Sequence, residues 1–249
     1  MQPIQAAPAT PTAEPGAIEF LEPTILETFP HDPNAFTQGL EIVEGQLVES
    51  TGAPENRQSD LRRVDIATGA VTQQVDVPGD VFGEGLTRVG DELIQLSWQS
   101  QRAFFWDAET FELLREVSYT GQGWGLCFDG ERLIMTDGST QLFFRDPETF
   151  ELIGQVTVTQ SGMPIERLNE LECVDGNVWA NVWLTDAIVR VDPDTGAITA
   201  VVNAASLGQP RTEAMDVLNG IAWDSQTQTW LVTGKLWPEL YRVQFVRAG

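Results

Sequence analysis

The stretch Gly83-Glu84-Gly85-Leu86-Thr87 is one of five copies of a short motif that recurs along the chain. The other copies are Thr37-Gln38-Gly39-Leu40-Glu41, Gly123-Trp124-Gly125-Leu126-Cys127, Leu168-Asn169-Glu170-Leu171-Glu172 and Leu218-Asn219-Gly220-Ile221-Ala222. Successive copies lie 46, 40, 45 and 50 residues apart, which is the range expected of propeller blades. The central glycine is replaced only in the fourth copy, by Glu170, whereas the residue before it varies. This pattern indicates a shared backbone role beside a site built from unlike side chains.

Two predicted hairpins follow each copy of the motif. In the second copy, residues 86–89 and 92–98 read as strands around the tight turn 90–91. The next hairpin turns on the pattern Asp-x-x-Thr-Gly or Asp-x-x-Thr-Phe, which begins at Asp65, Asp107, Asp146 and Asp192. An Asp side chain at the start of such a turn bonds the backbone that follows it. Each repeat therefore supplies four strands.

These repeats predict an all-β chain that forms a five-bladed β-propeller with four antiparallel strands in each blade. The fifth repeat ends after its third strand, at residues 240–246. We expect the N-terminal segment, through residues 18–20 or 25–29, to complete the last blade and close the ring, because closure removes exposed sheet edges. Residues 1–16 are predicted to be a flexible Ala/Pro/Thr-rich segment, and residues 17–249 a single propeller domain.

Composition narrows the classes of function. The 249 residues are 42% hydrophobic, enough for a sizeable core, and a net charge of −23 argues against binding to nucleic acid. No run of about 20 apolar residues predicts a membrane span. Residues 1–16 resemble the linker left after removal of an export signal, which predicts a secreted or periplasmic protein.

Cys127 and Cys173 fall on neighbouring predicted strands, where a disulfide and two buried free thiols are both reasonable.

The repeat also predicts where a site should lie. The first strand of a blade begins at the face where the second strand ends, so two rings of residues should line one mouth. The first ring is Gln38, Glu84, Trp124, Asn169 and Asn219, and the second is Thr51, Trp98, Asp137, Trp183 and Lys235. Phe36 and Phe82 stand two residues before Gln38 and Glu84. A carboxylate, the only lysine and several aromatic groups thus converge, which is typical of a ligand site.

Other kinds of site find less support in the sequence. His31 is the only histidine and lies in the turn His31-Asp32-Pro33-Asn34, where a structural role is the simpler interpretation. Without a second histidine the chain has no His-based metal centre. It also lacks a Ser/His/Asp order, a phosphate-binding loop and a pair of carboxylates in evident glycosidase roles.

With these motifs laid out, the chain resembles the plant and bacterial type of glutaminyl cyclase over roughly residues 28–246. The motifs that carry the resemblance are His31-Asp32-Pro33-x-Ala35-Phe36-Thr37-Gln38-Gly39-Leu40, Phe82-Gly83-Glu84-Gly85-Leu86-Thr87, Gly123-Trp124-Gly125-Leu126, Leu168-Asn169-Glu170-Leu171-Glu172, Val178-Trp179-Ala180-Asn181-Val182-Trp183, Leu218-Asn219-Gly220-Ile221-Ala222 and Thr233-Gly234-Lys235-x-Trp237-Pro238. The chain departs from that family in the loop 51–60, which lacks an expected Gly-rich stretch, and at Cys173 and Leu184. These departures bear on loop shape more than on chemistry.

The resemblance implies a secreted five-bladed propeller that converts the N-terminal glutamine of peptides and proteins to pyroglutamate and releases ammonia. It implies that Glu84 is the catalytic acid/base and that Lys235, Gln38 and Asn169 are polar groups of the catalytic pocket. It further implies an aromatic lining that binds the substrate, formed by Phe36, Phe82, Trp98, Trp124 and Trp183. No catalytic metal is implied, a structural Ca²⁺ in the channel is left open, and a monomer is expected.

Two other interpretations remain at this stage. A non-catalytic propeller could bind peptides or carbohydrates through the same aromatic mouth. A metal-dependent, lactonase-like propeller would need several carboxylates around the axis, but the variable position of the motif supplies one glutamate only. Replacing Glu84 by Gln separates an enzyme from a binder, because only an enzyme has turnover to lose.

Overall fold

A computed structural model describes residues 17–52, 58–208 and 217–249. The described residues form strands and no helix, and therefore contain no helix that could cross a membrane. In chain order the strands are β1 (Glu19–Pro30), β2 (Phe36–Val43), β3 (Gln46–Gly52), β4 (Asp60–Val64), β5 (Val71–Asp76), β6 (Gly83–Val89), β7 (Glu92–Ser97), β8 (Arg102–Asp107), β9 (Leu113–Ser118), β10 (Leu126–Phe128), β11 (Leu133–Met135), β12 (Gln141–Arg145), β13 (Leu152–Thr157), β14 (Thr159–Gln160), β15 (Met163–Pro164), β16 (Leu168–Val174), β17 (Asn177–Val182), β18 (Ala187–Val191), β19 (Ile198–Asn203), β20 (Leu218–Asp224), β21 (Thr229–Gly234) and β22 (Glu239–Arg247). The all-β prediction is confirmed, whereas the predicted segment 1–16 lies outside the described residues.

The strands form antiparallel meanders that follow the sequence repeat. Three sheets have four strands each, β2–β5, β6–β9 and β10–β13, and β14 pairs with β15 in a small hairpin. An eight-stranded sheet has the order β16-β17-β18-β19-β1-β22-β21-β20. In that sheet β1 pairs antiparallel with β22 and parallel with β19. The segments 18–20 and 25–29, considered separately from the sequence, thus contribute to one strand, with a register shift between Ile25 and Glu27.

The first strands of the repeats pack against one another in a cycle. β2 contacts β6, β6 contacts β10, β10 contacts β16, β16 contacts β20, and β20 contacts β2. The motif glycine permits this approach, because a Cβ on Gly85 would lie 2.5 Å from the carbonyl oxygen of Trp124, and one on Gly125 would lie 1.9 Å from that of Asn169. The aliphatic residue after it is buried between sheets in all five copies. Burial of each such side chain contributes roughly 1.5–3 kcal/mol.

Glu170, which replaces the motif glycine in the fourth copy, has a different role. Its side chain is 1% exposed. Oε1 accepts a hydrogen bond from the backbone N–H of Leu40 on β2 at 3.3 Å, and Oε2 accepts one from Ile221 on β20 at 2.8 Å. Burial raises the pKa of Glu170 well above its ordinary value, which those two N–H groups oppose. The carboxylate therefore links three first strands.

The aspartate turns form as the sequence predicts. Asp107 Oδ1 accepts from the backbone N–H groups of Glu109 and Thr110 and from the Thr110 hydroxyl. Residue 111 is phenylalanine rather than glycine and still adopts a φ of 59°, because its ring packs into the core between the first two sheets. A left-handed backbone at a bulky residue is costly and persists only where packing fixes it.

Cys127 on β10 and Cys173 on β16 form a disulfide with a Cα–Cα distance of 5.4 Å. It joins the first strands of two neighbouring sheets. Of the two states that the sequence allowed, the structure has the bridge.

Candidate active site

Irregular strand pairing places the variable residues of the motif. The registers of β2, β6, β16 and β20 against their second strands shift at the motif, so that Gln38, Glu84, Asn169 and Asn219 fall within the irregularities. A β-bulge takes a residue out of the regular ladder and re-aims its side chain, and bulges are common beside active sites. Trp124, the fifth variable residue, lies just before β10. The repeat therefore presents one variable side chain from each first strand.

Glu84 is the central carboxylate and is only 4% exposed. Its Oε1 accepts a hydrogen bond of 3.2 Å from Nε2 of Gln38. Burial raises the pKa of Glu84 well above its ordinary value, because the ionised form loses hydration. The positive charge of Lys235 opposes this rise. In the structure the effect of burial is the larger of the two.

Lys235 follows directly after β21 and is 3% exposed. Its Nζ lies 4.8 Å from the centre of the Phe36 ring, within the range of a cation–π interaction. Burial lowers the pKa of Lys235 to about 8, and the charge of Glu84 acts in the opposite direction. At neutral pH the side chain therefore still carries its proton for most of the time, but it can lose it more readily than a solvated lysine.

An amide chain orients Gln38 towards Glu84. Nδ2 of Asn219 donates to the carbonyl oxygen of Thr37 at 3.0 Å and to Oε1 of Gln38 at 3.3 Å. Because Oε1 of Gln38 accepts this bond, its Nε2 is left facing the Glu84 carboxylate. Two amides from two strands thus fix one donor on the acid.

The aromatic residues form two groups. In the first, Phe36 and Phe82 meet edge to face with centroids 5.9 Å apart, and Phe82 meets Trp98 in the same way at 5.8 Å. Phe36 is buried, Phe82 is half-buried and Trp98 is 38% exposed. The row therefore leads from Lys235 outward to solvent, as the side of an open pocket would.

The second aromatic group is Trp124 and Trp183, whose rings meet edge to face with centroids 5.4 Å apart. Gln122, which sequence reasoning missed, connects the two groups. Its Oε1 accepts from Nε1 of Trp98 at 2.8 Å and from Nε1 of Trp124 at 3.2 Å. The residue lies in a loop outside the repeat motif, so no periodic signal pointed to it.

Two polar atoms near this group have no protein partner. Among the described residues, Oδ1 of Asn169 and Nε1 of Trp183 are buried without a hydrogen-bond partner. Asn169 lies beside the Trp124 segment, because the Thr136 hydroxyl donates to its backbone oxygen at 2.8 Å and the Thr136 carbonyl accepts from Trp124 N–H at 2.9 Å. They are two of eight such buried side-chain atoms among the described residues, and their position beside the Trp124 and Trp183 rings leaves them free to bond ligand atoms.

Thr51 and Asp137, which the sequence also places at the mouth, form hydrogen bonds with residues close to them in the chain. The Thr51 hydroxyl donates to Asp60 at 2.9 Å, and Asp137 accepts from the backbone N–H of Ser139 at 2.9 Å. Within the described ranges, no group of three or more histidine, cysteine, aspartate or glutamate side chains is arranged to hold a metal ion. The described site holds a buried glutamate and a buried lysine, with side-chain amides and aromatic walls.

Comparisons with known proteins agree on one family. The family model described as "Glutamine cyclotransferase" matches residues 1–245. The chain is 38% identical over 231 residues to a glutaminyl-peptide cyclotransferase of Arabidopsis thaliana, covering 90% of this chain and 72% of that protein. It is also similar to the crystal structure of Myxococcus xanthus glutaminyl cyclase, with a TM-score of 0.87 and 35% identity over 94% of this chain and all of the other.

Proposed function

Because the chain belongs to the glutamine cyclotransferase family, we infer that it is a glutaminyl-peptide cyclotransferase. It converts the N-terminal glutamine of peptides and proteins to pyroglutamate and releases ammonia. The observation that supports this chemistry most directly is the buried Glu84 carboxyl group. It accepts a hydrogen bond from Gln38, and the positive charge of Lys235 acts on its pKa. A carboxyl group with a raised pKa can both take and return a proton near neutral pH.

We propose that Glu84 acts first as a base and then as an acid. Its carboxylate takes a proton from the substrate α-ammonium, and the freed amine attacks the γ-carboxamide carbon. The C–N bond of the new five-membered ring forms as the carbonyl π electrons move to oxygen. Glu84 then gives its proton to the departing amino group and takes the surplus proton from the ring nitrogen. The old C–N bond breaks as the carbonyl re-forms, and ammonia leaves with that last proton as ammonium. Both reacting groups belong to one residue, so positioning contributes much of the rate.

The developing oxyanion needs donors that are already in place. We propose that Lys235 and the side-chain amides of Gln38 and Asn169 fill this role. The pKa of about 8 for Lys235 supports it, because the ammonium form still dominates at neutral pH and offers its protons at little cost. Nε1 of Trp183, buried and unpaired, is available to a substrate oxygen.

The aromatic side chains are proposed to bind the substrate. Phe36, Phe82 and Trp98 on one side, and Trp124 and Trp183 on the other, would enclose the two methylenes of glutamine. Their apolar faces would also exclude water, which could otherwise hydrolyse the carboxamide to glutamate. In this scheme Glu84 supplies the acid/base chemistry, so it requires no catalytic metal.

We also propose that residues 17–249 form one closed five-bladed propeller. The cyclic contacts of the five first strands support the blade count, and the pairing of β1 with β22 supports a last blade completed by the N-terminal strand. A closed ring leaves few free sheet edges, which supports a monomer. The disulfide supports an oxidising compartment, either secreted or periplasmic.

The test is mass spectrometry of a short peptide that begins with glutamine, incubated with the parent protein and with Glu84→Gln. Both samples contain a chelator, and Glu116→Gln, on an outer strand, is the matched control. We expect loss of ammonia with the parent and the control, and at least a 10²-fold slower reaction with Glu84→Gln. Absence of reaction with folded parent protein would instead favour a peptide- or carbohydrate-binding propeller.

A further inference from the structure

His31, the only histidine in the chain, has no part in the chemistry above. It lies between β1 and β2 and is 6% exposed. Its Nδ1 is 2.7 Å from the carbonyl oxygen of Trp237, and its Nε2 is 3.2 Å from Oε1 of Glu49 on β3. The ring therefore bridges two parts of the chain that are distant in sequence.

Both partners of the ring are acceptors. A backbone carbonyl can only accept, and the Glu49 carboxyl group is already committed as an acceptor. Its Oε1 accepts from the Thr37 hydroxyl at 2.6 Å, and its Oε2 accepts from Nε of Arg62 at 2.9 Å. Burial would raise the pKa of Glu49, but the charges of Arg62 and His31 lower it to about 2. Two acceptors require two donors, and an imidazolium with a proton on each nitrogen meets that requirement.

The segment that His31 bonds is the one that carries Lys235. Lys235 and the three residues after it connect β21 to β22, and Leu236 has a φ of 61°. Three main-chain or ring contacts attach this connection to the segment before β2. The N–H of Leu236 donates to the carbonyl of Ala35 at 2.7 Å, the N–H of His31 donates to the carbonyl of Pro238 at 2.9 Å, and the ring bonds Trp237.

We propose that His31 is a positioning residue, a protonated clamp between Glu49 and the Lys235 connection that holds the Lys235 ammonium at the site. The inference rests on the proposed function, in which Lys235 acts on the substrate. The same clamp reaches the other side of the pocket, because Glu49 bonds Thr37, the neighbour of both Phe36 and Gln38. One imidazolium thus fixes the relative placement of a cation, an aromatic wall and an amide.

Protonation of the His31 ring depends on pH, and the neighbouring groups determine in which direction its pKa is shifted. Burial alone would lower the pKa of His31, but the Glu49 carboxylate and the Trp237 carbonyl outweigh burial and raise it above 6.5, while the charge of Arg62 opposes them. Asp32 and Asp60 face Arg62 and partly neutralise that charge. A group whose pKa is higher in the folded than in the unfolded state stabilises the fold at pH values below its unfolded-state pKa. That stabilisation is lost as the pH rises through the folded-state pKa. A neutral ring keeps one donor, so alkaline pH removes one of the two bonds.

The first experiment is NMR of protein labelled with ¹⁵N-histidine, in which one residue gives the whole signal. At pH 7 we expect both ring nitrogens at imidazolium shifts, and in Glu49→Gln a titration midpoint moved to lower pH. A ring with only one protonated nitrogen at pH 7 would overturn the proposal. This readout does not depend on turnover, so it remains decisive even if glutamine peptides are not substrates.

The second experiment compares the steady-state kinetics of His31→Gln with those of Asp32→Asn. The latter variant weakens the half-exposed ion pair between Asp32 and Arg62 and leaves both hydrogen bonds of the His31 ring in place. We expect kcat to fall about 10- to 100-fold in His31→Gln, with KM changed less than about threefold, because misplacement of a catalytic group slows the chemical step. Asp32→Asn should keep kcat within about twofold. A folded His31→Gln protein with parental kcat would reduce His31 to a stabilising residue and refute the clamp.

Discussion

Removal of the Cys127–Cys173 disulfide should destabilise the fold by a calculable amount while sparing the chemistry. The bridge closes a loop with a sequence separation of 46. When the bridge of such a loop is removed, the chain-entropy model gives the unfolded chain about 13 cal/mol/K of additional conformational entropy. At 25 °C this lowers the free energy of unfolding by about 4 kcal/mol. In a domain of this size, that corresponds to a Tm lower by about 8–16 °C.

The assay is urea or guanidinium unfolding of the double variant Cys127→Ala/Cys173→Ala, of the parent, and of the parent reduced with a phosphine. The reduced parent and the double variant should lose similar free energies of unfolding, because both lack the same constraint. A loss below about 1 kcal/mol in both would refute the loop-entropy reasoning for this bridge.

Activity of the folded variant should change little, by less than about threefold. The bridge lies on β10 and β16, but the neighbouring site segments have their own attachment. Gly125 packs directly on the Asn169 backbone, and the Thr136 hydroxyl bridges them by donating to Asn169 and accepting from the Gly125 N–H at 2.7 Å. A large loss of kcat at a temperature where the variant is folded would mean that the disulfide itself positions Asn169.

Two further perturbations test the site and the contacts of Glu170 with the first strands β2 and β20. Lys235→Met should lower kcat roughly 10²-fold by removing an oxyanion donor. It should also move the acid limb of the kcat/KM profile to higher pH, because the pKa of Glu84 loses the cation that opposes its rise; an unmoved limb in stopped assays from pH 5 to 9 would contradict this coupling. Glu170→Ala should lower the free energy of unfolding by about 2–6 kcal/mol, since two buried backbone N–H groups lose their acceptor. Denaturant titration beside Glu170→Gln, which keeps one acceptor oxygen, checks this value, and a loss below about 1 kcal/mol would contradict it.

The periodic features of the fold were predictable because they arise from repeated local requirements. Four of the five first strands have a glycine where they meet a neighbouring strand, and all five have an aliphatic residue that fills the gap between sheets, in copies that recur every 40 to 50 residues. The aspartate turns are local as well, since Asp107 bonds residues that lie two and three positions later. Requirements that act within a few residues leave a visible pattern in one sequence.

The features that sequence reasoning missed depend on pairing between distant residues. The irregular registers that redirect the side chains of Gln38 and Glu84 are properties of two strands together, not of either one. Gln122 gains its role only because two indoles from different repeats converge on it. His31 bonds a carbonyl 206 residues away, which no local motif could reveal. The ionisation of Glu84 also depends on burial by neighbouring sheets.

The placement of β1 has a consequence for the order in which the chain can fold. Glu19 pairs with Ala200 and Leu21 pairs with Arg247, so the first described strand finds both of its partners near the end of synthesis. The three four-stranded sheets between them need only local pairing and can form as they emerge from the ribosome. Closure of so long a loop is entropically costly and should be slow compared with hairpin formation. A circularly permuted gene that places β1 directly after β22 would convert this last, slow step into a local hairpin.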